Sequence, residues 1–231
     1  MKKLPGKHNR LFTDFNERLA LNSLLPKKGE KITDVCGGYG RLTNEYLNKF
    51  KEVCLFDNAL DLLDHAKSIY GDKIKIVQGS VYEMPFKSNE FDVLILIRAS
   101  HFLINFNKAV KEISRILING GVAIIEINNK RNFIEIFRWV FGRSKLHRFS
   151  FKIEKQHKMG LLWYHPNYVE QVFQENNLYV KRVLAVFKQR CLISKKILEI
   201  PLFIKLIQIL QIIFGWNKYN SSLFYLLEKR N

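Results

Sequence analysis

The residues best suited to chemistry lie in a short glycine-rich stretch, Asp34-Val-Cys-Gly-Gly-Tyr-Gly40. Glycine lets the backbone adopt positive φ and come close to a ligand. Strand-like residues 32–36 lead into this turn, and the apolar residues after it have helical spacing: Leu42, Tyr46, Leu47 and Phe50. A helix starting there would offer free N–H groups and a partial positive charge. A strand, a tight turn and a helix start together indicate a nucleotide-binding corner.

Alternating apolar strands and helices must position this corner. After a helix at 13–25, strands are predicted at 31–36, 52–56, 73–77, 91–97 and 122–127, with helices before Gly71 and over 106–117. This order predicts an α/β fold with right-handed crossovers and a doubly wound sheet. Ligands of such sheets bind at the carboxyl ends of the strands. The segments that follow those ends should therefore converge on one crevice: Cys36–Gly40, Asp57, Gly79–Val81 and Arg98–His101.

Composition favours an anionic partner. The 231 residues carry a formal net charge of +17 with a pI near 9.8. Such a field attracts nucleic acid, anionic lipid or acidic small molecules, although a Lys- and Asn-rich coding bias would produce it too. The three cysteines are scattered without a CxxC pair, and the six histidines are far apart, so we expect no disulfide framework and no metal. Residues 1–10 hold no apolar run, which predicts no signal peptide and a cytoplasmic protein.

These motifs, in this order, resemble the class I S-adenosylmethionine (SAM)-dependent methyltransferase family, in its small-molecule form with a methyltransferase type 11 domain. The resemblance covers residues 11–128 well and 163–231 by architecture. It implies one domain over 1–231 with a Rossmann-like, seven-stranded, mostly parallel sheet whose last strand is antiparallel. Residues 130–165 would form a lid or substrate region, and 192–218 an apolar helical insertion before the last strand.

The resemblance also implies the cofactor contacts. Asp34, Cys36, Gly37, Gly38 and Gly40 would surround the methionine part of SAM, with Asp34 holding its ammonium group. Asp57 ends the second strand, where a carboxylate can accept hydrogen bonds from two ribose hydroxyls. The remaining expected contacts are with adenine and its surroundings: Asn58, Leu62, Gly79, Ser80 and Val81. Two residues depart from the family pattern, because Cys36 replaces the first glycine and Ser80 replaces an aspartate.

The corner has three other interpretations. A nicotinamide dehydrogenase carries GxGxxG, which would need glycine where Thr43 stands. No GxxxxGK[ST] motif exists, which excludes a P-loop. A protein that binds SAM without catalysis remains an alternative, supported by Cys36 and Ser80. Asp57 could also serve only as a helix N-cap.

Methyl transfer from SAM produces S-adenosylhomocysteine. Its rate depends mainly on the proximity and orientation of the methyl group and the acceptor atom. His101 follows the fourth strand, where it could act as a general base for a hydroxyl nucleophile or only form part of the pocket wall. Arg98 ends a buried strand and therefore needs a partner. That partner is either an acidic group of the substrate or a structural carboxylate.

Two segments bear on the acceptor. Residues 130–158 contain nine Lys or Arg against two Glu, interleaved with aromatic residues, a mixture that suits nucleic acid, an anionic membrane, an amphiphile or a solvated lid. Residues 200–216 are apolar but too short to span a bilayer. A helix there would carry one polar stripe of Lys205, Gln208 and Gln211, and would lie in a membrane interface or dock on the domain or a second subunit. We therefore favour a small or lipid-like acceptor over RNA. Residues 200–216 also suggest peripheral association with a membrane. The oligomeric state is not predicted.

Overall fold

The computed structural model describes residues 11–143, 149–151, 153–155, 160–187 and 195–231. The N-terminal residues 1–10 lie outside these ranges. So do 144–148, 152 and 156–159 of the segment expected to form a lid, and 192–194 of the apolar insertion.

A seven-stranded sheet forms the centre of the fold. The strands, in chain order, are β1 (Gly29–Val35), β2 (Phe50–Asp57), β3 (Lys75–Gln78), β4 (Phe91–Leu96), β5 (Leu117–Asn128), β6 (Glu154–Lys155), β7 (Leu162–Trp163), β8 (Leu178–Val186) and β9 (Ser222–Lys229). The sheet order is β3-β2-β1-β4-β5-β9-β8, while β6 and β7 pair separately. β9 runs antiparallel to both of its neighbours, β5 and β8, while β1 to β5 pair in parallel. The predicted mostly parallel sheet with an antiparallel last strand is confirmed.

Helices cover both faces of the sheet. They are α1 (Leu11–Leu24), α2 (Leu60–Tyr70), α3 (Phe106–Ile116), α4 (Phe133–Val140), α5 (Pro166–Glu175), α6 (Lys195–Leu198) and α7 (Pro201–Asn217). One core cluster joins the sheet to α3 and α5, for example through Ile113 and Phe173. The other joins it to α1 and α2 through Leu21 and Leu63. This three-layer packing explains why β4 is a continuous apolar run, since both of its faces are buried.

The strand register aligns the carboxyl ends that carry the site. Asp34 lies opposite Leu55 of β2 and Ile95 of β4, and Asp57 lies opposite Gln78 of β3. Because these strands are parallel, the segments after them emerge at the same edge of the sheet. The predicted convergence of four loops is therefore a direct result of the register.

The predicted helix immediately after the glycine turn is wrong. A 3-10 turn over Thr43–Glu45 stands there, and Phe50 already belongs to β2. The backbone continues in short turns, with Tyr46 N donating to Thr43 O at 3.1 Å and Lys49 N to Tyr46 O at 2.9 Å. Leu42 and Tyr46 are still buried, so the apolar spacing reflected core contacts and not a regular helix.

The three residues of the predicted polar stripe on α7 differ in exposure: Lys205 is exposed, Gln208 is half-buried and Gln211 is buried. Gln211 is buried, and its side-chain amide donates to Asn16 O of α1 at 3.0 Å. Ile207 and Gly215 lie on the same buried face, at spacings of one helical turn. The helix therefore docks on the domain through a face that contains one of its glutamines.

Candidate functional site

A cavity of about 560 Å³ lies at the carboxyl edge, between the loops that follow β1, β2, β3 and β4. Eleven of the thirteen residues predicted to form the site line it: Asp34, Cys36, Gly37, Gly38, Asp57, Asn58, Leu62, Gly79, Ser80, Val81 and Arg98. Gly40 and His101 are not among its lining residues. Its volume falls within the range of roughly 300–1,000 Å³ found for small-molecule sites.

The glycine turn has the backbone geometry that its residues suggest, including at its cysteine. Cys36 has φ 57°, in the left-handed region, as do Gly38 at 57° and Gly40 at 77°. For a residue with a Cβ this conformation costs about 1–2 kcal/mol. Gly37 is required for space, because a Cβ there would lie 2.9 Å from Asp34 Oδ2. Cys36 therefore keeps the conformation of the glycine that the family pattern prefers.

Asp57 connects the ends of two strands. One carboxylate oxygen, Oδ2, accepts a hydrogen bond from Gly38 N at 2.8 Å. The other, Oδ1, accepts from Ala59 N at 2.9 Å, at the start of α2. The side chain is buried but lines the cavity. Each oxygen has further lone pairs for hydroxyl donors, so Asp57 can both orient the turn and bind a ligand.

Asp34 is the buried acid of the turn. Tyr46 donates its hydroxyl to Asp34 Oδ2 at 2.6 Å, and the Tyr46 hydroxyl in turn lies 3.1 Å from Thr43 Oγ1. Burial raises the pKa of the Asp34 carboxyl to about 7, although the Tyr46 hydrogen bond and the charge of Arg41 oppose this rise. A carboxyl in this state gains from a cation in the cavity, because the cation would stabilise its charged form.

The adenine-side residues differ in burial. Gly79 packs against the Phe56 ring, which lies 2.8 Å from where its Cβ would stand. Val81 is buried, whereas Leu62 and Ser80 are exposed at the cavity wall. Ser80 Oγ accepts a hydrogen bond from Tyr82 N at 3.3 Å and still has its hydroxyl proton to donate.

Arg98 faces a structural carboxylate, one of the two partners considered for it. Its Nε lies 3.7 Å from Glu17 Oε1 of α1, and Arg41 donates to Glu17 Oε2 at 2.7 Å. The Glu17 side chain is fully buried. Arg98 itself has φ 60°, and its backbone N–H donates to Glu126. Helix α1 thus anchors two arginines that both line the cavity.

His101 lies beside the cavity and not in its lining. Its ring stacks against Phe102, with centroids 4.2 Å apart. The neighbouring loop is held by Tyr164, whose hydroxyl lies 2.9 Å from both Ser100 O and Leu103 O and shares its one proton between these two acceptors. In this arrangement Phe102 and Leu103 line the cavity where His101 was expected.

Several lining residues were not predicted: Tyr39, Arg41, Leu42, Ala59, Tyr82, Ile97, Ala99, Phe102 and Leu103. Most are neighbours of predicted ones along the chain, so their loops were correctly located. Glu17 lies far away in sequence, and the one signal for it was the need of Arg98 for a partner. Within the described residues, no group of three or more His, Cys, Asp or Glu side chains is arranged to hold a metal ion.

The comparisons with known proteins agree with this geometry. A family model described as a methyltransferase domain matches residues 33–125, which run from β1 through β5 and contain the whole cavity lining. Over residues 33–125 the chain is therefore similar to the methyltransferase domain family. A SAM-dependent methyltransferase structure from Listeria monocytogenes, described as putative, superposes with a TM-score of 0.68 at 15% identity. It covers 95% of this chain and 99% of that one, so the chain shares this fold across nearly its whole length.

Curated relatives match a shorter stretch of the chain. An uncharacterised protein of Methanocaldococcus jannaschii is 34% identical over 55% of this chain and 58% of its own length. The ubiquinone/menaquinone biosynthesis C-methyltransferase of Hahella chejuensis is 28% identical over 50% of each chain. The chain thus spans about half the length of the curated relatives it matches.

Proposed function

We propose that the protein transfers a methyl group from SAM to a small, lipid-like acceptor. The observation that carries the proposal is the Asp57 carboxylate, bound to Gly38 N and facing a cavity of about 560 Å³. The family supplies the cofactor, and the residues of the cavity fit it. SAM, when bound, provides an activated methyl group on a positively charged sulfur and leaves as S-adenosylhomocysteine.

Residues of the chain would bind the adenosine part and the methionine part of SAM at two ends of the cavity. Asp57 would accept the ribose hydroxyls, with Asn58 beside it. Leu62 and Val81 would pack on adenine, and the Ser80 hydroxyl would bond its amino group. Asp34 would pair with the methionine ammonium, since its carboxyl is buried and bonded to Tyr46. Cys36, Gly37, Gly38 and Gly40 would keep the backbone close to the cofactor or hold the turn that does so.

The acceptor side of the cavity is apolar at its opening. Ile97, Phe102 and Leu103 line it, and Arg98 is the charged group among them. Arg98 is paired with Glu17, and this pairing would fix the position of its side chain in the pocket. From there, Arg98 would donate a hydrogen bond to an electronegative atom of the acceptor. His101 could serve as base only after Phe102 moves from the cavity wall. The Hahella chejuensis relative is named for ubiquinone and menaquinone biosynthesis, which supports an apolar acceptor.

RNA is the second candidate acceptor. The observation in its favour is the α4 segment, where Arg138 and Arg143 are exposed beside the exposed rings of Phe137 and Phe141. Basic and aromatic side chains together bind single-stranded nucleic acid through phosphate contacts and stacking. The apolar lining at Phe102 and Leu103 favours the lipid-like acceptor.

The test measures binding first and turnover second. Calorimetry with SAM and S-adenosylhomocysteine should give saturable binding to the intact protein. Radiolabelled methyl transfer is then measured on an organic-soluble lipid extract and on total RNA. Label in the lipid fraction supports the proposal, and label confined to RNA selects the second candidate. SAM binding without transfer to either extract would favour a non-catalytic SAM-binding protein, and absent SAM binding would refute the proposal.

A further inference from the structure

Helix α7 presents an apolar stripe to solvent. Leu202, Leu206, Ile209, Ile213 and Trp216 follow one another at intervals of three or four residues, so they lie on one side of the helix. All five are exposed, Leu202 at 77% and Trp216 at 85%. The stripe spans about 21 Å at 1.5 Å per residue. Large apolar side chains aligned in this way mark a contact surface more often than scattered ones do.

The opposite face of α7 fixes its orientation. Gly215 lies directly against the backbone of β8, where a Cβ would collide with Val183 O. Gln211 is bonded to Asn16 of α1, and Ile207 is buried. The helix therefore cannot turn its stripe inward without breaking these contacts.

Helix α4 carries a second exposed stripe that adjoins the first. Phe133, Phe137, Val140 and Phe141 are all exposed at spacings of one and two helical turns. The two stripes meet where Phe133 N donates to Tyr219 O at 3.0 Å and the two rings lie 4.9 Å apart. Tyr219 follows α7 by two residues, so Trp216 is close to this junction.

The junction lies at the same edge of the sheet as the cavity. Asn128 at the end of β5 pairs with Ser222 at the start of β9, and α4 and α7 connect to these two ends. The loop after β4 emerges at that edge as well, and it adds Phe102 at the cavity wall and Ile104, which is 86% exposed. A hydrophobic molecule held against the stripes would therefore be near the cavity opening.

Charge indicates what covers this surface. Lys205 on α7, and Arg138 and Arg143 at α4, are exposed beside the stripes, and the chain carries a net charge of +17. Apolar side chains with a flanking Trp and basic residues are the composition of helices that lie in the interface of an anionic bilayer. In the part of the chain that the structure describes, no helix is both long and apolar enough to cross a membrane. The complementary occupant is thus an anionic lipid surface contacted from one side.

We propose that the α7 and α4 stripes dock the protein on an anionic bilayer, with the cavity edge facing the headgroups. This docking would deliver the acceptor directly from the bilayer, a step that rests on the function proposed above. The stripes insert their side chains among the upper acyl chains, while the arginines and Lys205 stay with the headgroups.

Vesicle flotation of the full chain tests the docking. Vesicles of phosphatidylcholine alone are compared with vesicles that also contain phosphatidylglycerol, at low and high salt. The protein should float with the anionic vesicles. The double variants Ile209→Gln/Ile213→Gln and Phe137→Gln/Phe141→Gln should each lower the vesicle partition coefficient at least tenfold, because each loses two apolar side chains that would enter the bilayer. The matched control is Ile69→Gln/Val180→Gln, near the end of α2 and the start of β8, which replaces exposed apolar residues at the opposite edge of the sheet and should float like the wild type.

Circular dichroism and SAM calorimetry on each variant separate docking from folding and from the proposed function. Variants that bind SAM normally yet fail to float support the proposal. Failure of the wild type to float with anionic vesicles at low salt would overturn it, and so would equal flotation of all three double variants. A dimer that dissociates in the stripe variants, with no flotation of the wild type, would assign the surface to a second copy of the chain. Flotation without SAM binding would leave the docking intact and refute the proposed function.

Discussion

The Asp57 carboxylate accepts a hydrogen bond from Gly38 N across 2.8 Å, and this bond joins the end of β2 to the turn after β1. Ala59 N occupies the other carboxylate oxygen, so both oxygens have fixed positions at the cavity wall. The acid is therefore oriented before any ligand arrives, which lowers the entropic cost of binding.

Asp57→Asn should lower SAM affinity by about 100-fold, because charge-assisted hydrogen bonds of about 1.5–3 kcal/mol become neutral ones. Asp57→Ala should abolish measurable binding while the fold is retained. Isothermal titration calorimetry measures both, with circular dichroism as the folding check. Asp64→Asn, an exposed aspartate on α2, is the matched control and should bind SAM normally. Wild-type affinity in Asp57→Ala would contradict the assignment of Asp57 to the cofactor.

Substitution by valine should lower the free energy of unfolding more at Cys36 than at Cys54. Cys36 has φ 57°, which a β-branched side chain strongly disfavours, so Cys36→Val should lower the free energy of unfolding by about 2 kcal/mol or more. Cys54 lies within strand β2, where valine suits the backbone, and Cys54→Val should cost less than about 1.5 kcal/mol. Cys36→Gly should be at least as stable as the wild type. Urea unfolding monitored by fluorescence ranks the three variants, and equal losses at both cysteines would refute the strain at Cys36.

SAM affinity should rise with pH up to about pH 7. The pKa of Asp34 is raised to about 7 by burial, so at lower pH the carboxyl is protonated and cannot pair with the ammonium of the cofactor. Affinity should fall again where that ammonium, an α-amino group, loses its proton near about pH 8. Calorimetry across this range should show proton release on binding below the pKa of Asp34. Asp34→Asn should flatten the rise at low pH, and an unchanged profile in that variant would contradict the pairing.

Tyr46→Phe provides a second test of the same group. The Tyr46 hydroxyl stabilises the carboxylate of Asp34, so its removal should raise the pKa of Asp34 further and move the affinity profile to higher pH. The sign for folding is opposite to that for binding. Since folding raises this pKa from 3.8, the folded state binds the extra proton, and the contribution of Asp34 to stability is lost as the pH rises from about 4 to about 7. A profile that shifts to lower pH in Tyr46→Phe would show that the hydroxyl does not stabilise the charge.

Glu17→Gln should lower the free energy of unfolding by about 3–5 kcal/mol, the usual loss when one partner of a buried ion pair is removed. Glu17 is fully buried and pairs with Arg41 at 2.7 Å, with Arg98 Nε 3.7 Å away. SAM affinity should fall too, because both arginines line the cavity. Glu52→Gln, which breaks the exposed pair with Lys31, is the control and should change stability by less than about 1 kcal/mol. Equal effects of the two substitutions would show that α1 does not anchor the site.

Much of the fold could be predicted because the strands are apolar runs with turn residues between them. The carboxyl ends of parallel strands share one edge of the sheet, so Asp57 and Gly79 could be assigned to one crevice from the sequence alone. The helix expected after Gly40 could not be distinguished from successive tight turns, because Leu42 and Tyr46 are buried in either case. Periodicity reports which side chains are buried, and not which hydrogen bonds connect the backbone.

The long-range contacts were beyond prediction. Glu17 and Arg98 are separated by most of the first half of the chain, and nothing local pairs them. Gln211 was assigned to a polar stripe, yet its side chain is buried against α1, where its amide donates to Asn16 O. A buried polar side chain depends on a partner from another element, so its position is decided only by tertiary packing.

The contact of Gly215 with the backbone of β8 also affects how the protein behaves in water. Because this contact and the Gln211 hydrogen bond hold α7 in place, its apolar stripe is exposed to solvent in the part of the chain that the structure describes. Its colloidal behaviour should resemble that of a surfactant, with loss at air–water interfaces and on plastic, and with monodispersity restored by mild detergent. The net charge of +17 opposes this association, since mutual repulsion keeps the molecules apart.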